Sequence, residues 1–224
     1  MRIAILIFDR LTALDAIGPY EVLSRLPGAE LSFVATEPGP RRTDTGALGL
    51  LADLTLDELP DPDLLLVPGG AGSDAQMDDP EVLDWLRRAD GASTWTTSVC
   101  TGSLVLGAAG ILRGRRATTH WAHLERLRDA GAEPVAERVV EDGKLVTAAG
   151  VSAGIDMALT LAARIAGQHV AEAIQLGIEY DPQPPFKAGS PETAPAHIVE
   201  GLRARMRARM ERDEAAALSR SGSA

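Results

Sequence analysis

The fold is decided by residues 94–103, which read Thr-Trp-Thr-Thr-Ser-Val-Cys-Thr-Gly-Ser. Thr94–Val99 is a short β-rich run without polar alternation, which is typical of a parallel strand covered on both faces. Gly102–Ala109 has the pattern of a helix. Cys100 therefore lies at a strand-to-helix corner. In an open α/β sheet, ligands bind at the carboxyl ends of the strands, so this corner is the first place to look for a site.

Similar runs recur along the chain and alternate with helical patterns. The other predicted core strands are Arg2–Phe8, Leu31–Thr36 and Leu64–Val67. The predicted helices are Glu81–Ala89, which Asp79-Pro80 opens and Gly91 ends, and Trp121–Ala130, which Gly131 closes. Thr43–Leu54 is predicted to be a short hairpin or an excursion at the edge of the sheet, and Leu145–Gly167 a buried strand, turn and helix. The alternation predicts an α/β fold with a mostly parallel open sheet between helices.

The C-terminal part breaks this rhythm. Asp181–Pro195 carries five prolines and is predicted to be an extended loop. After it, a helix is expected at about 196–218, with an apolar stripe at Ile198, Leu202, Met206 and Met210. We expect the whole chain, 1–224, to form one domain, because this length is common for a single α/β unit.

Composition and charge exclude several classes of protein. The chain has 224 residues, of which 45% are hydrophobic and 24% charged, as in an ordinary globular protein. Its formal charge of −10 opposes binding to nucleic acid or to an anionic membrane. It has one cysteine, so no internal disulfide can form. The first apolar run is too short for a signal peptide. We therefore expect a cytoplasmic protein that acts on a small molecule.

Cys100 is the sharpest chemical signal. A thiol at the start of a helix meets unpaired N–H groups, which are expected to lower its pKa and favour the thiolate. The alternative is a buried structural cysteine, since free cysteine is among the most buried residue types. The corner position leaves the two interpretations about equally favoured.

Two further features lie at the same edge of the predicted sheet. Asp15 follows the first strand among apolar neighbours, before Gly18-Pro19, which is expected to open a helix. Burial of its carboxyl would raise its pKa and let it carry a proton near neutral pH; the alternative is a helix cap. Gly69 and Gly70 follow the Leu64–Val67 strand, where backbone N–H groups can approach a ligand. The spacing of these glycines fits neither a dinucleotide fingerprint nor a phosphate-binding loop.

Other motifs are weaker. Gly150–Gly154 matches the nucleophile elbow of serine hydrolases, with Asp181 and His197 following in the right order. We favour Ser152 as a helix cap instead. His120 and His123 have no clear third partner, so no metal site is predicted. Trp121 is expected in the core or in a pocket wall.

The motifs together resemble the ThiJ/PfpI superfamily, and within it the family of isonitrile hydratases. The resemblance covers Met1 to Met206. Its motifs are residues 98–103 and 118–121 with Leu14-Asp15, Pro68–Gly70, Gly154–Asp156, Glu179-Tyr180 and residues 184–191. It implies a flavodoxin-like three-layer sandwich, a homodimer and an enzyme without a cofactor.

The resemblance also implies an activity and residue roles. The activity would be hydration of isonitriles to N-substituted formamides through a thioimidate on Cys100. Asp15 matches the acidic partner and Thr101 the threonine beside the nucleophile; Gly69, Gly70 and Trp121 are expected at the substrate. The peptidase branch of the superfamily has histidine where Thr101 stands, so protease activity is not expected.

Two alternatives remain open at this point. One is another thiol-dependent member of the superfamily, of glyoxalase-like or protein-repair type. The other is the sensory half of an AraC-type transcription regulator without its DNA-binding region. The acidic charge and the short segment after Pro195 argue against a regulator.

Overall fold

The predicted corner at Cys100 joins an inner strand of a seven-stranded sheet to a short helix. The computed structural model describes residues 1–221. Its strands are β1 Arg2–Leu6, β2 Glu30–Ala35, β3 Gly39–Arg42, β4 Gly49–Ala52, β5 Leu54–Thr55, β6 Leu64–Val67, β7 Trp95–Val99, β8 Arg116–Ala117, β9 Glu133–Pro134, β10 Val139–Asp142 and β11 Leu145–Ala148. Its α-helices are α1 Ala13–Leu23, α2 Ser73–Met77, α3 Pro80–Ala92, α4 Gly102–Ala108, α5 Arg126–Asp129, α6 Ala153–Ala166, α7 Gln168–Gly177 and α8 Ala196–Ser221.

The sheet has the strand order β10-β11-β7-β6-β1-β2-β5. All neighbouring pairs are parallel except β10 with β11. Because β6 and β11 are buried at every residue, both faces of the sheet are covered. The helices form two groups, in which α1 and α7 pack on α6, and α2, α3 and α5 pack with α4. This is the predicted flavodoxin-like α/β sandwich.

The topology brings three strand ends together. Strands β1, β6 and β7 are adjacent and parallel, so their carboxyl ends lie at one edge of the sheet. The segments that follow these strands carry Asp15, in the first turn of α1, the Gly69-Gly70 turn and Cys100. The residues singled out in the sequence are therefore placed next to one another by the strand order alone.

Three predicted elements are wrong in position. Helix α1 begins at Ala13, so Pro19 lies inside it and Asp15 lies in its first turn. Helix α3 runs through Gly91 to Ala92, because that glycine keeps a helical conformation and the chain turns extended only at Ser93. The hairpin pairs β3 with β4, so residues 43–48 are its connecting turn and not a strand.

Two further predictions are corrected in detail. The expected helix Trp121–Ala130 is divided into a 3₁₀ turn, Trp121–His123, and the four-residue α5. The C-terminal helix exists but is longer than expected, running from Ala196 to Ser221. The chain forms two compact units, the first being Met1–Tyr180 and the second beginning at Asp181. The one-domain organisation over 1–224 stays a prediction, and residues 222–224 lie outside the described part.

Among residues 1–221, no helix combines the length and the apolar character that crossing a membrane requires.

Candidate active site

Cys100 is held in an unusual backbone conformation. Its φ is +58°, in the left-handed region, which costs a residue with a Cβ about 1–3 kcal/mol. Its N–H donates to the carbonyl of Ala149 at 2.8 Å. Its carbonyl accepts hydrogen bonds from the hydroxyls of Ser103, at 3.1 Å, and Thr119, at 2.8 Å. These bonds fix a sharp turn that lifts the side chain out of the strand, as expected for a nucleophile elbow.

The elbow fits only because glycines surround it. A Cβ on Gly102 would lie 2.0 Å from the carbonyl oxygen of Val67, and one on Gly69 would lie 2.9 Å from the Cβ of Cys100. Real Cβ atoms do not approach other atoms so closely. The segments that follow β6 and β7 can therefore lie this close together only because residues 69 and 102 have no side chain.

We expect Gly102→Ala to destabilise the protein by about 3 kcal/mol or more, because the new methyl group overlaps rigid backbone. Urea unfolding followed by circular dichroism measures the change. Gly91→Ala is the matched control, since Gly91 is helical and has open space around it. The free energy of unfolding of that control should rise by up to about 1 kcal/mol, because alanine has a higher helix propensity than glycine. Equal stabilities for the two variants would contradict the packing described.

The sulfur of Cys100 is nearly buried, with 6% of the residue exposed. Burial, followed by the negative charge of Asp15, raises the pKa of the thiol, while the backbone N–H groups of Thr101 and Val151 donate to the sulfur and lower it. Together these effects raise the pKa of Cys100, so the resting group is a thiol. The prediction of a lowered pKa and a thiolate is therefore wrong for the resting site. The helix N–H groups are present, but desolvation outweighs them.

Asp15 is fully buried beside this sulfur. Its Oδ2 accepts a hydrogen bond from the Gly69 N–H at 3.0 Å, and its carboxyl interacts with the Cys100 thiol. Within the described residues, its other oxygen, Oδ1, has no hydrogen-bond partner. Burial raises the pKa of Asp15 to about 7, against the lowering effect of the bonds from Gly69 and Cys100. The alternative of a helix cap is not what the structure shows, because Oδ2 bonds to Gly69 and not to its own helix.

The glycine turn positions protein groups instead of presenting free N–H groups. The Gly69 N–H is bonded to Asp15, and the Gly70 N–H donates to Thr101 Oγ1 at 3.0 Å. The same hydroxyl is 2.8 Å from the buried hydroxyl of Ser73. The expectation that these two N–H groups are open to a ligand is therefore wrong. The predicted role of both glycines in substrate binding has no support from their N–H groups and stays a prediction.

Trp121, His120 and His123 form a cluster of rings near Gly150. The ring of His120 is 5.4 Å from that of Trp121 and 5.9 Å from that of His123, and it packs on Gly150. Burial lowers the pKa of His120 to about 4 and also lowers that of His123, so both are neutral near pH 7. No cluster of three His, Cys, Asp or Glu side chains within residues 1–221 is arranged to hold a metal. The role of Trp121 toward a substrate stays a prediction.

The serine-hydrolase alternative is not supported by the geometry of Ser152. Its φ is −71°, so the elbow conformation belongs to Cys100 and not to this serine. Ser152 occupies the predicted N-cap position of α6, but its side chain makes no capping bond. Its hydroxyl instead accepts a hydrogen bond from Arg138 at 3.3 Å.

Sequence reasoning missed two groups that contact the nucleophile. They are the N–H of Val151, which reaches the sulfur, and the hydroxyl of Thr119, which holds the Cys100 carbonyl. The signal for the first was available: Val151 follows β11, whose neighbour in the sheet is β7. The second depends on a loop whose path no local pattern indicates.

Comparisons with known proteins agree with this geometry. An isonitrile hydratase from Pseudomonas putida is 47% identical over 205 residues, which cover 92% of this chain and 90% of that protein. The crystal structure of a ThiJ/PfpI family protein from Pseudomonas syringae is 38% identical and superposes with a TM-score of 0.91, covering 96% of this chain and 89% of that one. The HTH-type transcriptional regulator CdhR of Pseudomonas aeruginosa is 31% identical over 73% of this chain, a match that spans 49% of the regulator.

The family itself follows from a match along most of the first compact unit. Residues 1–164 match the DJ-1/PfpI family, and this stretch contains the Cys100 elbow, Asp15 and the Gly69-Gly70 turn. Sequence motifs, sheet topology and relatives all lead to the same conclusion, which is that the chain belongs to the DJ-1/PfpI family.

Proposed function

We propose that this chain is an enzyme that hydrates isonitriles to N-substituted formamides, with Cys100 as nucleophile and Asp15 as proton carrier. The observation that carries the proposal is the buried pair itself. A carboxyl with a pKa of about 7 and one unpartnered oxygen lies against a thiol that receives two backbone N–H groups. The similarity to an isonitrile hydratase along 92% of the chain supports this substrate class.

The first half of the reaction forms a covalent intermediate. The ionised Asp15 takes the thiol proton, and the N–H groups of Thr101 and Val151 stabilise the thiolate. The sulfur attacks the terminal carbon of R–N≡C, forming a C–S bond and leaving a lone pair on that carbon. Protonated Asp15 gives its proton to the carbon, and the product is the thioimidate R–N=CH–S on Cys100.

The second half releases the product. Asp15, again ionised, takes a proton from water as the water oxygen adds to the thioimidate carbon. Protonated Asp15 gives that proton to the nitrogen, forming the tetrahedral adduct R–NH–CH(OH)–S on Cys100. As the C–S bond breaks to give R–NH–CHO and the thiolate, Asp15 takes the remaining hydroxyl proton and returns it to the sulfur, which restores the thiol. One isonitrile and one water become one formamide, so the atoms balance without a cofactor.

The remaining assignments complete the proposal. The Gly69-Gly70 turn positions Asp15 relative to Cys100, because the Gly69 N–H donates to Asp15 and the Gly70 N–H donates to Thr101, the residue after Cys100. Trp121 would line the space for the R group. We further propose that the protein acts as a homodimer in the cytoplasm.

The test uses purified protein with cyclohexyl isocyanide and, separately, with methylglyoxal. Release of N-cyclohexylformamide from the isocyanide supports the proposal. Lactate from methylglyoxal without any formamide would instead assign a glyoxalase-like enzyme. No product from either substrate would favour a binding protein, such as a sensory domain, and would overturn the proposal.

The pH dependence of kcat/KM follows from the pKa of Asp15. This carboxyl must be ionised to accept the thiol proton, so kcat/KM rises with pH through an apparent pKa near 7. Below that value it falls about tenfold per pH unit. His120 and His123 cannot produce this limb, because their pKa values are lowered. A rate that stays constant between pH 5.5 and pH 8.5, measured by formamide release, would be inconsistent with Asp15 as the base.

A further inference from the structure

The turn at residues 149–152 touches Cys100 from the side opposite the glycine turn. The carbonyl of Ala149 accepts the Cys100 N–H at 2.8 Å, and the N–H of Val151 donates to the sulfur. Helix α6 begins directly after this turn. The position of the turn therefore decides whether the sulfur keeps one of its two backbone donors.

Arg138 holds this turn at both ends. Its backbone carbonyl accepts the N–H of Ala149 at 2.9 Å, and its guanidinium donates to the hydroxyl of Ser152 at 3.3 Å. The same guanidinium forms an ion pair with Asp156 in the first turn of α6. One residue thus spans the turn by main chain and side chain together.

The carboxylate that Arg138 uses is itself fixed. The hydroxyl of Tyr180 donates to Asp156 Oδ1 at 3.0 Å, while Arg138 binds Oδ2. Tyr180 follows Glu179, whose φ of +51° turns the chain back at the end of α7. A non-glycine residue in this conformation is strained, so the local structure must hold it there. Tyr180, Asp156, Arg138 and Ser152 form a continuous network that ends at the turn.

We propose that Arg138 is a positioning residue that holds the 149–152 turn against Cys100, so that the Val151 N–H stays on the sulfur. The inference rests on the proposed role of Cys100 as nucleophile. Arg138 does not touch the sulfur, and Asp156 neutralises its charge. Among residues 1–221, the groups that shift the pKa of the sulfur are the Asp15 carboxyl and the N–H groups of Thr101 and Val151. Arg138 acts only through the last of these.

The experiment measures the reactivity of the sulfur directly. The chain has one cysteine, so iodoacetamide alkylation followed by intact mass reports Cys100 alone. In Arg138→Ala the turn loses its side-chain restraint and the thiolate loses a hydrogen bond. A bond to a charged group is worth about one unit of thiol pKa, so the alkylation rate at fixed pH should fall about tenfold.

Arg164→Ala is the matched control. Arg164 lies on α6, the helix that carries Asp156, and pairs with Glu141 through two bonds of 3.1 Å. Its side chain is 57% exposed against 54% for Arg138. Both variants lose one exposed ion pair, so both should lose a similar, small amount of Tm. The control should leave the alkylation rate unchanged. A rate for Arg138→Ala that equals or exceeds that of the control would overturn the inference.

Two milder variants allow the same test if Arg138→Ala does not fold. Arg138→Lys keeps the charge but loses the forked geometry, and Ser152→Ala removes the hydroxyl that Arg138 binds at the turn. Each should slow alkylation by a smaller factor, and unchanged rates in both would also overturn the inference. The alkylation assay does not involve an isonitrile. If the wild-type protein fails to hydrate isonitriles while these shifts occur, the proposed function fails and the inference stands.

Discussion

Cys100→Ala should abolish isonitrile hydration, with a loss of at least about 10⁴-fold in kcat. Without sulfur there is no atom to form the thioimidate, and Asp15 has no thiol proton to carry. A neutral water molecule would have to attack the isonitrile carbon directly. Formamide release measured over hours, together with intact mass of the protein after mixing with cyclohexyl isocyanide, tests both parts. The wild-type protein should show an adduct that the variant lacks.

Cys100→Ser is the companion variant for this prediction. It keeps a Cβ in the left-handed conformation and leaves a hydroxyl near Asp15, so the fold and the backbone strain should be unchanged. A serine hydroxyl is far less acidic and less nucleophilic than a thiol, so activity should stay absent. Normal turnover in either variant would show that the chemistry occurs elsewhere in the chain.

Asp15→Asn should reduce kcat by about 10²–10⁴-fold, the usual contribution of a positioned acid or base. The amide oxygen can still accept the Gly69 N–H, so the pocket should keep its shape. What is lost is the group that removes the thiol proton and returns it to the isonitrile carbon. Single-turnover kinetics with cyclohexyl isocyanide should show slow formation of the Cys100 adduct.

The same variant should be more stable than the wild-type protein above pH 7. The folded pKa of about 7 lies above the ordinary value of 3.8, so the folded state disfavours the ionised form. This cost begins as the pH rises past about 4 and is complete above about 7. A shift of about three units is worth at most on the order of 4 kcal/mol. Urea unfolding should show a stability gain of Asp15→Asn that is small at pH 4.5, about 1 kcal/mol, and reaches its full size at pH 8.

Asp61→Asn provides the control for this stability gain. Asp61 is exposed and paired with Arg2, which lowers the pKa of its carboxyl. Removing its charge should therefore leave activity unchanged and cost a little stability, or none. If Asp15→Asn lost both activity and stability at pH 8, the carboxyl would have a structural role and would not be a proton donor and acceptor held at a cost in stability.

The sequence was sufficient to predict the edge of the sheet where the site lies. Apolar runs marked β1, β6 and β7, and the rule that ligands meet strand carboxyl ends placed Cys100, Asp15 and Gly69 together. That reasoning works because strand order in a parallel sheet brings residues that are distant along the chain to one edge. The same reasoning applied to β11, which is parallel to β7, would also have placed Val151 at this edge of the sheet.

The electrostatics of the site could not be predicted in the same way. Whether a thiol pKa rises or falls depends on the balance between burial and N–H donors, and no local pattern gives the depth of Cys100. The partner of the Gly69 N–H depends likewise on where α1 begins, because Asp15 lies in the first turn of that helix. Pro19 suggested a start six residues too late, because a proline inside a helix has the same local signature as one at its first turn.

The crowding around Gly102 and Gly69 also bears on how alignments of distant relatives are interpreted. A glycine that is required because a Cβ would overlap neighbouring backbone should be retained in relatives that share this fold but carry out different reactions. In a deep mutational scan scored by cellular abundance, substitutions at Gly102 should be depleted, whereas Asn at position 15 should be tolerated or enriched. Invariance at the glycines would then report folding, and the contrast between abundance and turnover would identify the residues that matter for chemistry.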